Sequence, residues 1–485
     1  MQAPATYETR PFIGGHYYDG TAERYVSYNP ATGQPITEVA ACGAQEVELA
    51  VQAARRAQPM WSRKKAEERG AALRAVAAAI RAHKDEIAAL ETLDSGIPYT
   101  MVHRHYIAKG ADFFEYYAAM GDKVQGRVVP IDPAYLSYNI HEPWGVAAIL
   151  LPWNAPFTEL CLATAAALCC GNAVLLKPAS STALTALLFG RICQEAGLPE
   201  GVVNVLPGPG GVLGELLAQH PGIDKLVFTG SLEMGRRVLQ NAAGTIKNCT
   251  LELGGKTPVL VFPDCDLDKA VDSITFSAFR NSGQVCTAAS RLYLHRSIAE
   301  EFLEKMVRKA QTYRTGDPFD PQTDFGPVVS AAHRDNILRF VEEGRSSGAT
   351  VLLDGGAPTE PELQQGYYVK PVIFTDVPET ASIAQKEIFG PVLSVFTFED
   401  TDEVLARANS LPYGLGSSVW TSRIQTAQYC AARLEDGLVW INCINLSHPA
   451  IAHSGFKQSG MGMQNGMESA LFTYTRTKTV WMANE

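Results

Sequence analysis

Between positions 146 and 252 apolar runs and helical stretches alternate regularly along the chain. "GVAAILLP", "AVLLKP", "GVVNVLPG", "KLVFTGS" and "TLELGG" are short and mostly apolar throughout, which predicts buried strands. The stretches between them, "FTELCLATAAALCCG", "TALTALLFGRICQEAG", "GVLGELLAQHP" and "LEMGRRVLQNAAG", have the length and residue types of helices. Strands that are apolar on both faces and separated by helices imply a parallel sheet covered on both sides, a doubly wound layout. A second α/β stretch begins at "PVLVFPDCDLDKAV". Its first helix places Leu267, Ala270, Val271, Ile274 and Ala278 on one face and is expected to run to Gly283.

Upstream, "AQEVELAVQAARRAQPMW" and "KAEERGAALRAVAAAIRAHKDEIAALETLDSG" predict two helical runs, the second stopping at Gly96, and a third covers about 101–120. "GRVVPIDPAYLSYNIHEPWG" is rich in β-formers and prolines and reads as extended strands. At the C-terminal end, "FTYTRTKTVWM" alternates Thr with larger side chains and is expected to be one long strand pairing across a subunit or domain edge.

Composition narrows the function. The 485 residues, 46% hydrophobic and 19% charged, describe an ordinary globular chain with room for two or three domains. A net charge of -10 argues against nucleic acid as a partner. No apolar run is long enough for a membrane span, and "MQAPATYETRPF" lacks a secretory pattern. The 10 cysteines are scattered apart from adjacent Cys169 and Cys170, with no metal-ligand spacing. Free thiols in a reducing cytoplasm, and no metal site, are the expectation.

Three glycine or lysine motifs sit at strand ends. "GPGGVLG", Gly208–Gly214, is a poor dinucleotide fingerprint, its third glycine one residue late, and a strand-to-helix turn explains it equally well. In "FTGSLEMG", Gly230 and Ser231 join a buried strand to a helix, where free amides and the helix dipole can hold a pyrophosphate. Lys177 in "VLLKPAS" ends another strand, within reach of a ribose or phosphate. "AFRNSGQVCTAASR" presents Cys286 among small residues; on its own, such a cysteine is more often a small buried hydrophobe than a nucleophile.

In order along the chain stand "LLPWNAPF", "LLKPA", "FTGSLEMG", "LELGGK", "NSGQVC" and "EIFGPVL". Together they resemble the aldehyde dehydrogenase superfamily, from "NPATG" at Asn29 to the Thr-rich C-terminal strand. The resemblance implies an α/β fold of two doubly wound parallel-sheet domains with a small β oligomerisation arm. It divides the chain into an NAD(P)-binding domain (1–123 and 144–255), a catalytic domain (256–460) and oligomerisation strands (124–143 and 467–485). It implies NAD(P)-dependent oxidation of a small-molecule aldehyde to a carboxylic acid by a homodimer or homotetramer.

By the same resemblance Cys286 is the nucleophile and the Asn154 amide, with the Cys286 N–H, receives the oxyanion. Glu252 is the base that hydrolyses the thioester. Trp153, Leu253, Glu387 and Phe389 border the cofactor, beside Lys177, Gly230 and Ser231. Coenzyme A acylation and cofactor-free thiol hydrolysis are the competing chemistries; Glu252 stands against the first, and no histidine adjoins Cys286 in sequence against the second.

Two departures bear on specificity. Many NAD-preferring members resemble Lys-Pro-x-Glu where this chain has Lys177-Pro178-Ala179-Ser180. Ser180 can donate to a 2′-phosphate that a glutamate would repel, so NADP is expected alongside NAD. The loop "AHSGFKQSGMGMQNG", 452–466, also departs from the family pattern and is expected to alter the substrate mouth. Glu159, His103, His105 and Lys109 lie on helices that border the aldehyde tunnel by resemblance, with a Glu159–Lys109 pair the alternative.

Overall fold

Five of the apolar runs form the parallel centre of an eight-stranded sheet in the computed structural model, which describes residues 6–484. Residues 1–5 of the N-terminal stretch and Glu485 of the C-terminal one lie outside the described residues. Across the sheet the parallel strands run Asn248–Glu252, Lys225–Thr229, Val146–Leu150, Ala173–Lys177 and Val203–Val205. Antiparallel edges are added by Gly460–Met461 on one side and by Phe12–Ile13 and His16–Tyr17 on the other. Val146–Leu150 and Ala173–Lys177 are buried along their whole length, which is why neither alternates apolar with polar residues. Each such Val, Leu or Ile contributes about 1.5–3 kcal/mol by leaving water.

The strand order reverses direction between Val146–Leu150 and Lys225–Thr229. The crevice beyond the carboxyl ends at such a reversal is where doubly wound sheets hold ligands. A second, seven-stranded sheet runs Thr350–Gly356, Lys370–Thr375, Val392–Phe398, Arg291–His295, Pro258–Val261, Gly416–Trp420 and Leu438–Ile441; only the first pairing is antiparallel. A three-stranded antiparallel arm joins Arg127–Val128, Tyr135–Pro143 and Thr475–Ala483. All 10 cysteines are free. Among the described residues no helix is long and apolar enough to cross a membrane.

Four expectations need correction. The run 65–96 is two helices, Ala66–Ala82 and Lys84–Ser95, broken at His83, whose ring bonds Glu86 and Glu195. The C-terminal strand begins at Thr475: Phe472, Thr473 and Tyr474 end a helix, Gly466–Tyr474, that packs Ser469, Ala470 and Tyr474 into the core. The helix before Cys286 stops at Phe279, not Gly283. His103 turns to Asp85 at 2.8 Å and does not reach the cavity described below.

Two buried carboxyls fix the helices that flank the crevice. Glu91 accepts the Phe157 N–H and Asp94 the Leu184 N–H, each at 3.1 Å. These amides lie at the first turns of Pro156–Cys169 and Leu184–Glu195, whose orphan donors need partners. Burial pushes Glu91 up to about 8 and raises Asp94 as well.

Candidate active site

Between the two large sheets lies a cavity of about 910 Å³. Its walls include Trp153, Asn154, Lys177, Ser180, Gly230, Ser231, Glu252, Leu253, Cys286, Glu387 and Phe389, the candidates named from the sequence for catalysis and cofactor binding. Ligand sites of this size are usual in crevices of this kind.

Cys286 reaches the cavity because the chain turns through three left-handed residues, Asn281, Ser282 and Gly283, at φ 51°, 54° and 73°. Only glycine fits the third: a Cβ there would lie 2.2 Å from the Gly390 carbonyl carbon. The other two are held by bonds. Asn281 Nδ2 donates to the Asn154 carbonyl at 2.9 Å, and Ser282 Oγ to the Gly326 carbonyl at 2.6 Å. Gln284 clamps the turn, accepting from Val329 N–H at 3.0 Å and donating to the Asn281 carbonyl at 3.1 Å.

Asn154 does not cap the following helix; the N-cap is Ala155. Its amide donates to the Gln284 carbonyl at 3.0 Å, which ties it to the cysteine loop and leaves its second hydrogen for another acceptor. Among the described residues the Cys286 N–H has no backbone acceptor. Burial first, then the carboxyls of Glu159, Glu387 and Glu252, push the Cys286 thiol up to about 12, against the pull of Arg280. Neither His333 nor His453, half-buried histidines of the cavity wall, is hydrogen-bonded to this sulfur.

Glu252 ends the strand Asn248–Glu252, is 5% exposed, and has no hydrogen-bond partner on either carboxyl oxygen among the described residues. Burial, and secondarily Glu159, raises its carboxyl well above the ordinary range. Its nearest cation candidate is His453, 4.0 Å away, which desolvation and then Lys109 lower to about 4 and so keep neutral. Ser459 secures the following turn, donating to the Gly254 carbonyl at 2.7 Å and accepting from the Gly414 N–H at 2.9 Å.

The cofactor candidates converge from both sheets. Lys177 is 5% exposed, bonded to the Pro178 carbonyl at 2.8 Å, and lowered by burial to about 8. Ser231 caps the helix Leu232–Ala242 beside Gly230. Glu387 accepts the Gly255 N–H at 3.2 Å, and burial raises it to about 7. It packs on Gly254 so closely that a Cβ there would sit 1.7 Å from its carboxylate. Trp153 and Phe389 meet edge to face with centroids 5.2 Å apart, and His333 holds the Phe389 carbonyl at 2.8 Å. The glycine motif set aside in the sequence also lines the cavity: Gly210 and Gly211 open the helix Gly210–Gln219, and a Cβ on Gly211 would meet nothing. This open, glycine-edged cradle with a buried ammonium suits a dinucleotide.

His105, Lys109 and Glu159 line the cavity, but the Glu159–Lys109 ion pair is absent; Lys109 donates to Ser447 Oγ. Sequence reasoning missed Arg280, His333, His453 and Ser459. His453 and Ser459 lie in the departing 452–466 loop, which was the one available signal; nothing local marks the other two.

The aldehyde dehydrogenase family model matches residues 17–480. A Burkholderia cenocepacia protein solved as a candidate aldehyde dehydrogenase is 41% identical, with TM-score 0.96, covering 98% of each chain. A NAD+ complex of aldehyde dehydrogenase from Bacillus cereus is 38% identical, with TM-score 0.96, covering 99% of this chain and 97% of that one. PnpE from Pseudomonas sp. WBC-3, in complex with nicotinamide adenine dinucleotide, is 38% identical, with TM-score 0.96, covering 100% of this chain and 98% of that one.

Proposed function

The chain belongs to the aldehyde dehydrogenase family, an NAD(P)-dependent oxidoreductase, and from that premise we propose a hydrolytic route from aldehyde to carboxylic acid through a Cys286 thioester. The observation that carries this reading is the meeting of Cys286, Asn154 and Glu252 in one cavity with Lys177, Ser180 and Glu387.

Cys286 attacks the aldehyde carbon. Its thiol, buried and pushed up to about 12, must lose its proton on attack, and the Glu387 carboxyl of the same cavity wall is the acceptor at hand. The oxyanion that forms lies against the second amide hydrogen of Asn154 and the Cys286 N–H, neutral donors that stabilise charge without quenching it. A bound nicotinamide cofactor would supply the acceptor for the hydride of the thiohemiacetal. Glu252 then draws a proton from water, which attacks the thioester and frees the acid. Lys177 and Ser180 would hold the adenosine ribose, Gly230 and Ser231 the pyrophosphate, and Trp153, Leu253, Glu387 and Phe389 the nicotinamide end.

A panel of aldehydes assayed with NAD+ and NADP+, with and without coenzyme A, tests the whole route. The expected products are free acid and one reduced cofactor per aldehyde, with no need for coenzyme A; an acyl-coenzyme A product overturns the hydrolytic reading. With Ser180 in place of a carboxylate in the cavity wall, measurable kcat/KM with NADP+ is expected. Strict NAD+ use would remove that part alone. Asn154→Ala is expected to lower kcat by about 10²–10³-fold, the usual cost of one oxyanion donor, with cofactor Kd unchanged; a loss under threefold excludes the role.

The arm joining Tyr135–Pro143 to Thr475–Ala483 exposes Val128, Tyr135, Leu136, Ile140, Trp481 and Met482. We read it as the contact with a second copy, so light scattering is expected to return two or four times 52.5 kDa. A monomer mass would refute this.

A further inference from the structure

Two regions make up the cavity wall. One is the nucleotide cradle; the other is built by the helix Ile107–Ala118, the helix Pro156–Cys169, the turn after Phe279 and the loop around 445–453. No cofactor candidate stands in the second region, so it borders the path of the aldehyde.

That region carries two cations without counter-ions. Arg280 leaves the helix at the turn that delivers Cys286, and its buried Nε has no hydrogen-bond partner among the described residues. Lys109 donates to Ser447 Oγ, with its ammonium over the Phe113 ring at 5.9 Å. No carboxylate among the described residues lies within 4.0 Å of either cation. Their fields overlap at the reaction centre: burial first and then Arg280 depress Lys109, against the pull of Glu159, and Arg280 also pulls the Cys286 thiol down. Two like charges facing one partly desolvated space are costly unless an anion joins them. The one acid in this wall, Glu159, is raised by burial and pulled back by Lys109.

We propose that the aldehyde oxidised at Cys286 bears a carboxylate at its far end, and that Arg280 and Lys109 receive that carboxylate. The substrate is then a short dicarboxylate semialdehyde. The guanidinium supplies a planar two-donor fork for the carboxylate and the ammonium a third donor. The carboxylate takes no part in bond making; it sets which end of the molecule enters first. This assignment rests on the aldehyde-oxidising reading above.

The test compares kcat/KM for succinic and glutaric semialdehydes with butanal, pentanal, 4-aminobutanal and 5-aminopentanal. A preference of at least about tenfold for the semialdehydes over the neutral aldehydes of equal length is expected. In Arg280→Met that ratio falls at least tenfold, mainly through KM, and Arg280→Lys restores part of it. Equal or better use of neutral or amino aldehydes overturns the proposal. Binding of 5-hydroxypentanoate, which keeps length and charge but cannot be oxidised, separates the two readings by calorimetry. Binding that weakens in Arg280→Met, with no aldehyde turned over by either cofactor, would leave the anion site standing and remove the oxidation reading. Aldehyde turnover without semialdehyde preference or 5-hydroxypentanoate binding would do the reverse.

Discussion

Cys286→Ser is expected to lose at least about 10⁴-fold in aldehyde oxidation, the scale on which a covalent nucleophile is missed. The substitution keeps the shape of the side chain, and the turn that carries it is held by Asn281, Ser282, Gly283 and Gln284, none of which bonds the sulfur. Reduced-cofactor fluorescence should therefore report unchanged cofactor binding. A second measurement follows from the thiol itself. With burial and three carboxyls holding it near 12, the thiolate fraction rises about tenfold per pH unit across the accessible range. Site-resolved alkylation of Cys286 in the cofactor-free protein should thus climb without a plateau through pH 10. A plateau near pH 8 would mean a thiolate already stabilised at rest. A Cys286→Ser protein retaining a tenth of the activity would end the nucleophile assignment.

The parts of this site visible in the sequence are those whose chemistry is local. Apolar runs announced the parallel strands because a strand buried on both faces has no polar position to spare, as Val146–Leu150 shows. Gly283 announced the turn into the cleft because no other residue fits against Gly390. The helix end was misjudged by four residues because Asn281 and Ser282 are not glycines. Their left-handed backbone is sustained by bonds to Asn154 and Gly326, distant in sequence. Gly466–Tyr474 is a helix against its Thr and aromatic content because Ala470 and Tyr474 pack into the core beside Pro156–Cys169. His333 and Arg280 gave no signal, since a residue that faces a cavity through tertiary packing obeys no sequence period. The division of labour at the glycines was misjudged too: "GPGGVLG" fails as a fingerprint yet edges the same cavity.

Glu252→Gln is expected to separate the two halves of the reaction. If Glu252 serves hydrolysis, the variant still forms the thioester and releases about one reduced cofactor per active site in a rapid first phase. Steady turnover then falls about 10²–10⁴-fold, the usual worth of a positioned base. The amide is close in size to the carboxyl, and neither oxygen of Glu252 has a hydrogen-bond partner to lose, so folding should not confuse the result. The pH dependence carries the sign. Burial, with Glu159 second, raises the carboxyl well above its ordinary value, so the protonated, inactive form persists to higher pH than for an exposed glutamate. In the wild-type protein kcat should fall tenfold per unit below that raised value, giving an acid limb well above the carboxylate range, and the limb should vanish in Glu252→Gln. His453 cannot supply it, being held neutral down to about pH 4 at 4.0 Å from the carboxyl. A variant slow from its first turnover, with no burst, would assign Glu252 to the attack step instead and leave water activation to another group.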